Sequence, residues 1–257
     1  MTNEDEGTGP GTHRPVIEKV KTDREVIHLE GHEYGEVMTL SQRVLYRMLW
    51  WTSFTIGRSY FRLDLRGLEN VPREGACIIS PIHRSNLETP MISQVTKRRL
   101  RYMGKESLWK TRFGAWLFTT AGGFPVERAT ADRTALRACM EVLQRGEPLV
   151  MFPEGTRQTG PKITEMFDGP AYLAIKSGAP IIPVGFGGTE RAMGKGVKIP
   201  KPKRCVILVG EPIYPPAASD GGRARRSDIK ALTERLGVEI QRLFDEAQDL
   251  AGDPNPP

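Results

Sequence analysis

Cys77-Ile78-Ile79-Ser80-Pro81-Ile82-His83-Arg84-Ser85-Asn86-Leu87-Glu88 holds a strand, a break and a helix start in one short run. Cys77 to Ile79 is apolar and β-forming, which predicts a buried strand. Ser80-Pro81 interrupts it, and Ser85 is a good helix N-cap. His83 is therefore expected in a strand-to-helix loop, with Glu88 in the first helical turn. From there a carboxylate can reach back to the imidazole, fix its tautomer and leave one nitrogen as a general base. A second reading uses the same residues. Ser85-Asn86-Leu87-Glu88 fits a capping box, in which Glu88 serves the helix start and His83 is a hydrogen-bonded loop residue.

Outward from this stretch, strands and helices alternate. Further strands are predicted at 62–67, 100–103, 123–126, 149–152, 181–186 and 206–210. Helices are predicted at 87–96, 113–121, 130–145, 166–177 and 229–250, with Gly178 closing the fourth as a C-cap. This alternation predicts an α/β fold: a mostly parallel or mixed central sheet covered by helices, with an N-terminal amphipathic helical segment. The Pro/Gly/basic segments 189–203 and 215–226 read as surface loops. The organisation expected is a flexible tail over 1–38, an amphipathic membrane-associating helical segment over 39–62, the main domain over 63–250 and a disordered tail over 251–257.

The 39–62 segment has Leu40, Val44, Leu45, Met48, Leu49, Trp51 and Phe54 at helical spacing, interrupted by Arg43, Arg47 and Arg58. Its longest charge-free run is ten residues, between Arg47 and Arg58, too short to span a bilayer. A helix packed on its own domain explains this pattern. So does an interfacial helix with Trp50 and Trp51 at headgroup depth and arginines on anionic lipid. The two readings can hold for different faces.

Of 257 residues, 39% are hydrophobic and 26% charged, with a formal net charge of +6. A basic surplus of this size is compatible with nucleic acid, an anionic membrane or a phosphorylated small molecule. The basic clusters lack interleaved aromatics and no nucleic-acid module is recognisable, which argues against nucleic acid. Cys77, Cys139 and Cys205 match no zinc or redox spacing and are expected to be reduced, mostly buried thiols. Of four histidines only His83 falls in the predicted core, which argues against a multi-histidine metal site. The segment 1–15 has no apolar h-region, so no signal peptide is expected.

Three further constellations carry chemistry. Gly122-Gly123-Phe124-Pro125-Val126-Glu127-Arg128 allows a close backbone approach and delivers Arg128 to the end of a short strand. There it can grip a phosphate or pair with Asp132. Phe152-Pro153-Glu154-Gly155-Thr156-Arg157 follows a buried strand, where open α/β sheets gather ligands. A tight turn is the plain alternative, but a carboxylate, a glycine, a hydroxyl and an arginine so close together are hard to explain by packing. Ala179-Pro180-Ile181-Ile182-Pro183-Val184-Gly185-Phe186 reads as a scaffold strand. Lys97, Arg98, Arg99 and Arg101 are expected either to meet anionic lipid or coenzyme phosphates, or to form a solvated surface. Trp109, Phe113, Trp116, Leu117 and Phe118 fit an acyl-chain tunnel or a core helix.

These four blocks, in this order, resemble the glycerolipid acyltransferases of the PlsC, lysophosphatidic acid acyltransferase type. The resemblance runs from about Leu40 to Leu250, and the Phe-Pro-Glu-Gly-Thr-Arg block is close to a full match. It implies transfer of a fatty acyl group from acyl-CoA or acyl carrier protein to the hydroxyl of a lysophospholipid at the cytoplasmic face of a membrane, peripherally or monotopically bound. It also implies that residues 63–250 form the acyltransferase domain. His83 would be the base and Glu88 its orienter. Arg128 and Arg157 would bind the acceptor phosphate, and Glu154, Gly155 and Thr156 would shape the acceptor site. No cofactor, metal or covalent acyl-enzyme is implied. Two departures stand out: Glu88 replaces the family's aspartate in the His-x4-Asp block, and Asp168 stands where the family often has lysine. The second points to an acceptor other than plain lysophosphatidic acid, such as another phosphorylated or glycosylated lysolipid. A serine hydrolase is disfavoured because no Gly-x-Ser-x-Gly elbow exists. Gly187-Gly188-Thr189 and Gly194-Lys195-Gly196 complete no nucleotide-binding fingerprint. A non-catalytic lipid-surface binder is the remaining rival.

Overall fold

The computed structural model describes residues 38–126, 133–217 and 224–256. The expected tail over 1–38 lies, apart from Met38, outside the described residues, as do Arg128, Asp132 and part of the 215–226 loop. Helix α1 (Leu40–Ser59) leads to β1 (Asp64–Arg66), β2 (Cys77–Pro81), α2 (Glu88–Met91) and β3 (Arg101–Lys105). Then follow α3 (Arg112–Thr120), β4 (Gly123–Val126), α4 (Arg133–Gln144), β5 (Pro148–Val150) and α5 (Gly169–Ser177). The chain closes with β6 (Ile181–Gly187), α6 (Thr189–Met193), β7 (Val206–Val209) and α7 (Arg226–Ala251).

The strands form one seven-stranded sheet in the order β1-β7-β6-β2-β5-β3-β4. β6, β2, β5, β3 and β4 run parallel, while β7 is antiparallel to β6 and carries β1 parallel to itself. The expected mixed, mostly parallel sheet is therefore present. β2, β5, β6 and β7 are buried along their whole length, as strands covered on both faces must be. Their unbroken apolar runs follow from that burial. Pro183 sits inside β6 without harm. Its carbonyl accepts from Gly210 just past the end of β7, so the side on which it lacks a donor faces a strand that has already ended.

Two glycines set the height of α7. A Cβ on Gly185 would strike the Leu243 backbone, and one on Gly187 the Ala247 carbonyl. The helix can therefore lie directly on β6. The Gly188 amide then donates to the Gln248 carboxamide at 2.6 Å, and Gly188 itself turns with φ +74°. This conformation suits glycine, and it starts α6 at the carboxyl end of β6. The sequence reading placed only loop here.

The helix expected over 87–96 divides into α2 and a 3-10 turn at Ile92–Val95. A continuing α-helix would pair the Pro90 carbonyl with the amide of residue 94. That carbonyl accepts the hydroxyls of Ser93 (2.7 Å) and Ser53 (2.9 Å). Helix α1 begins on a capping box between Thr39 and Gln42 and docks through one side only. Trp50 Nε1 donates to the Ser93 carbonyl at 3.0 Å, Ser53 reaches Pro90, and Gly57 is buried. Leu40, Val44, Met48 and Trp51 face solvent along the opposite side.

In the basic run after α2 only Lys97 is exposed; the three arginines are tied into the fold. Arg98 donates to the Pro72, Gly75 and Gly146 carbonyls, and Arg99 to those of Thr119 and Thr120. Arg101 is buried beside Glu147 at 3.6 Å. Arg98 and Arg99 thus tie down loop and helix-end carbonyls. The aromatic run also divides: Trp109 is core and donates to Thr119 Oγ1, while Phe113 and Trp116 are exposed. The three cysteines are free and buried. Burial pushes their thiols up to about 11 for Cys77 and about 12 for Cys139 and Cys205, which leaves them poor nucleophiles.

Candidate active site

β2 lies between β6 and β5, and all three point the same way. Their carboxyl ends therefore deliver His83, Thr189 and the 153–158 loop to one place. This is the crevice position that ligands favour in open α/β sheets. The apolar run Cys77–Ile79 fixes the strand, and the chain after Pro81 turns His83 out of the core.

His83 Nδ1 lies 3.0 Å from Glu88 Oε2. The capping-box alternative does not form as such. Ser85 Oγ instead accepts the Leu87 amide at 3.1 Å and donates to the Met193 carbonyl at 2.6 Å. The Glu88 carboxylate receives the Arg84 amide at 2.8 Å (Oε2) and 3.1 Å (Oε1), and the Thr189 hydroxyl at 2.8 Å (Oε1). One buried carboxylate thus takes a ring nitrogen, a backbone amide and a hydroxyl together. An ionised carboxylate only accepts, so it selects the tautomer with hydrogen on Nδ1 and leaves the Nε2 lone pair free. The longer side chain matters here, because Glu88 spans from His83 to Thr189. The Phe152 ring lies against the imidazole, with centroids 4.0 Å apart.

A second network holds the backbone of the same histidine. Arg84 is fully buried. Its guanidinium donates to Glu154 Oε1 (2.7 Å) and Oε2 (2.8 Å), and to the Gly160 (3.0 Å), Lys162 (3.1 Å) and His83 (3.2 Å) carbonyls. Glu154 Oε2 also accepts the His83 amide at 2.9 Å. Glu154 is therefore buried and committed to Arg84 and the His83 amide. Gly155 turns with φ +68° beside the Phe167 ring, which a Cβ would strike. The Thr156 hydroxyl is exposed and accepts from Gln158 Nε2 at 3.1 Å.

Arg157 differs from Arg84. The next residue, Gln158, donates its amide to the His83 carbonyl at 2.9 Å, so Arg157 is carried next to the His83 backbone. It is half-buried and makes no ion pair or side-chain hydrogen bond among the described residues. An uncommitted guanidinium there suits a phosphate. β4 ends at Val126 at the same end of the sheet, and Arg128 lies outside the described residues. Asp168 accepts from Thr233 at 2.8 Å. No group of three or more metal-ligating side chains forms among the described residues.

Arg84 and Thr189 were missed in the sequence. Nothing local marks Arg84 as buried. Thr189 had one signal: a Gly-Gly-Thr turn after an apolar strand. Using that signal needs the strand order.

The Acyltransferase family model matches residues 62–187, which hold His83, Arg84, Glu88, Glu154 and Arg157 and end two residues before Thr189. A chloroplastic 1-acyl-sn-glycerol-3-phosphate acyltransferase of Brassica napus is 24% identical over 195 residues, covering 74% of this chain and 56% of that protein. The chain thus spans little more than half the length of such chloroplast relatives. Bacterial relatives of the same description come from Bacillus subtilis (23% identical, 73% of this chain, 94% of the relative) and Pseudomonas aeruginosa (29%, 79% and 75%). The crystal structure of the acyltransferase PlsC from Thermotoga maritima shares the fold, with a TM-score of 0.64, 24% identity and coverage of 79% of this chain and 81% of that one. With the block order, the sheet and the paired His83 and Glu88 in place, residues 62–187 of the chain match an acyltransferase-family domain.

Proposed function

We propose that the protein transfers a fatty acyl group from an acyl thioester, acyl-CoA or acyl carrier protein, to the free hydroxyl of lysophosphatidic acid, with His83 as general base. The observation that carries this reading is the 3.0 Å contact between His83 Nδ1 and Glu88 Oε2 beside the uncommitted Arg157. His83 Nε2 takes the hydroxyl proton as the oxygen attacks the thioester carbonyl. The imidazolium formed is stabilised by Glu88. Collapse of the tetrahedral intermediate expels the thiolate, which takes that proton back from His83. The products are an ester and a free thiol, and the enzyme returns to its starting state. Arg157, with Arg128, holds the acceptor phosphate.

The same reading puts the protein on a membrane surface, at its cytoplasmic face. No described helix is long and apolar enough to cross a bilayer. The exposed stripe Leu40, Val44, Met48 and Trp51 on α1, with Trp51 59% exposed, lies beside Arg43, Arg47 and Arg58. Apolar side chains flanked by arginines suit an anionic interface. Trp50 is turned inward, so Trp51 alone of the pair is placed for headgroup depth.

The test is thiol release from acyl-CoA with purified protein, with and without lysophosphatidic acid. A transferase requires both substrates, a hydrolase releases thiol without acceptor, and a pure lipid binder releases none. His83→Ala should abolish release while the protein keeps its melting temperature. A panel of phosphorylated and glycosylated lysolipids tests the second reading, a different head group, which Asp168 favours.

A further inference from the structure

We propose that the 194–204 loop is a second lipid-contacting element, inserting Val197 and Ile199 into an anionic membrane beside the mouth of the site; this rests on the membrane reading of α1. The loop holds Lys195, Lys198, Lys201, Lys203 and Arg204, with no acidic residue between Glu190 and Glu211. Lys195, Lys198 and Lys201 are exposed and form no ion pair among the described residues, while Arg204 pairs with Asp64 at 3.3 Å. Between the lysines stand Val197, 39% exposed, and Ile199, 79% exposed.

The loop is built, not slack. The Lys201 amide donates to the Ala192 carbonyl at 2.8 Å, and the Val197 amide to Gly194 at 3.1 Å. Pro200 and Pro202 restrict its backbone further. A braced loop that holds an isoleucine out in water carries an unmet hydrophobic surface at its tip. Lysines around that tip select an anionic surface, with their alkyl stems lying along the apolar layer.

Two attachments place the loop. The Met193 carbonyl at its root accepts the Ser85 hydroxyl at 2.6 Å, two residues from His83. The Pro200 carbonyl accepts the Tyr60 hydroxyl at 3.0 Å, at the end of α1. The loop therefore abuts both the helix proposed to lie on the membrane and the segment that carries the base. Two contacts flanking the site would hold its mouth toward the leaflet that supplies a lysolipid.

The experiment is co-sedimentation of the full chain with vesicles of phosphatidylcholine alone or of equal parts phosphatidylcholine and phosphatidylglycerol. Ile199→Asp should weaken binding to the anionic vesicles about tenfold. The double variant Lys198→Ala/Lys201→Ala should reduce the preference for anionic vesicles. Turnover of a short-chain, monomeric lysophosphatidic acid should be unchanged in both. Wild-type partitioning of Ile199→Asp overturns the proposal. So does an equal loss of short-chain turnover, which would make the loop part of the substrate site. If partitioning is unchanged but the lysine variant raises KM for acyl carrier protein, the loop docks protein and the proposal fails. Wild-type protein that ignores vesicles sinks the α1 reading with it. Binding lost in Trp51→Asp and kept in Ile199→Asp sinks the loop alone.

Discussion

Two carboxylates hold His83, and they do so in different ways. Glu154, on the β5 side, fixes the backbone amide and has a full cation, Arg84, at 2.7 Å. Glu88, braced by Thr189 from the β6 side, fixes the ring and receives an amide and a hydroxyl. Glu154 is neutralised in every state of the site. Glu88 meets its matching charge on His83 only when the imidazole takes a proton. One pair therefore keeps the loop in place, and the other would favour an imidazolium, the charge that the proposed transfer forms on His83. A buried ion pair on its own would not mark a reacting group; the difference in compensation is what supports the proposal.

The comparison breaks most visibly at Glu88. In Glu88→Gln, either amide orientation sets an N–H against a donor already present, His83 Nδ1–H or the Arg84 and Thr189 donors. The imidazole is driven toward the wrong tautomer, and kcat should fall by about 10²–10⁴ while most of the stability remains. Steady-state thiol release beside a melting curve checks this, and unchanged turnover would end the orienting role. Glu154→Gln should reverse the pattern. It leaves a buried guanidinium without its charge, at about 3–5 kcal/mol of stability. Urea unfolding should show the loss, while molecules that remain folded retain turnover. A melting point equal to wild type would mean that Arg84 finds another counter-charge.

The ring-side pair was legible because it is local. His83 and Glu88 sit five positions apart, astride a strand break that hydropathy reveals. The strands were legible for the same reason: β2, β5 and β6 are continuous apolar runs. What failed was everything set by strand order. Glu154 meets Arg84 across 70 positions, and Thr189 meets Glu88 across 101, because β5 and β6 flank β2. Periodicity does not encode that neighbourhood. Basic residues were harder to read. Arg157 was marked by its block, but nothing in the sequence marked Arg84, Arg98, Arg99 and Arg101 as structural. Only hydrogen-bond partners separate four arginines that hold structure from the one with no committed partner. Helix 87–96 failed because a hydroxyl from distant Ser53 enters its backbone.

Thr189→Val sharpens the division between the networks. It removes the hydroxyl donor from Glu88 Oε1 but leaves Oε2 on the ring. A hydrogen bond to a buried carboxylate is worth about 1.5–3 kcal/mol, so denaturant stability should drop by that order. Turnover should fall less than about tenfold, under about 1.4 kcal/mol of barrier. If kcat instead collapses as in Glu88→Gln, Thr189 holds the reactive geometry and the ring-side network acts as one unit.

The smallest effect is expected one residue later, where the two networks meet. Glu190 accepts the Gly160 amide at 3.2 Å, and the Gly160 carbonyl receives Arg84 Nε. Burial holds the Glu190 carboxyl above its usual 4.5, against the lowering by the Gly160 amide and Arg84, with Glu88 and Asp253 adding to the rise. A raised carboxylate favours the protonated folded state. Its ionisation therefore weakens folding above the raised value and makes no difference below the unfolded value of 4.5. Gln keeps an acceptor for the Gly160 amide and removes the charge. Glu190→Gln should accordingly melt slightly higher than wild type at neutral pH, with the gap closing as pH falls toward 4.5. A gap that stays constant with pH would assign the effect to packing. A variant less stable at neutral pH would mean that Arg84 draws on Glu190 as well as Glu154, and the backbone-side network would then have two counter-charges.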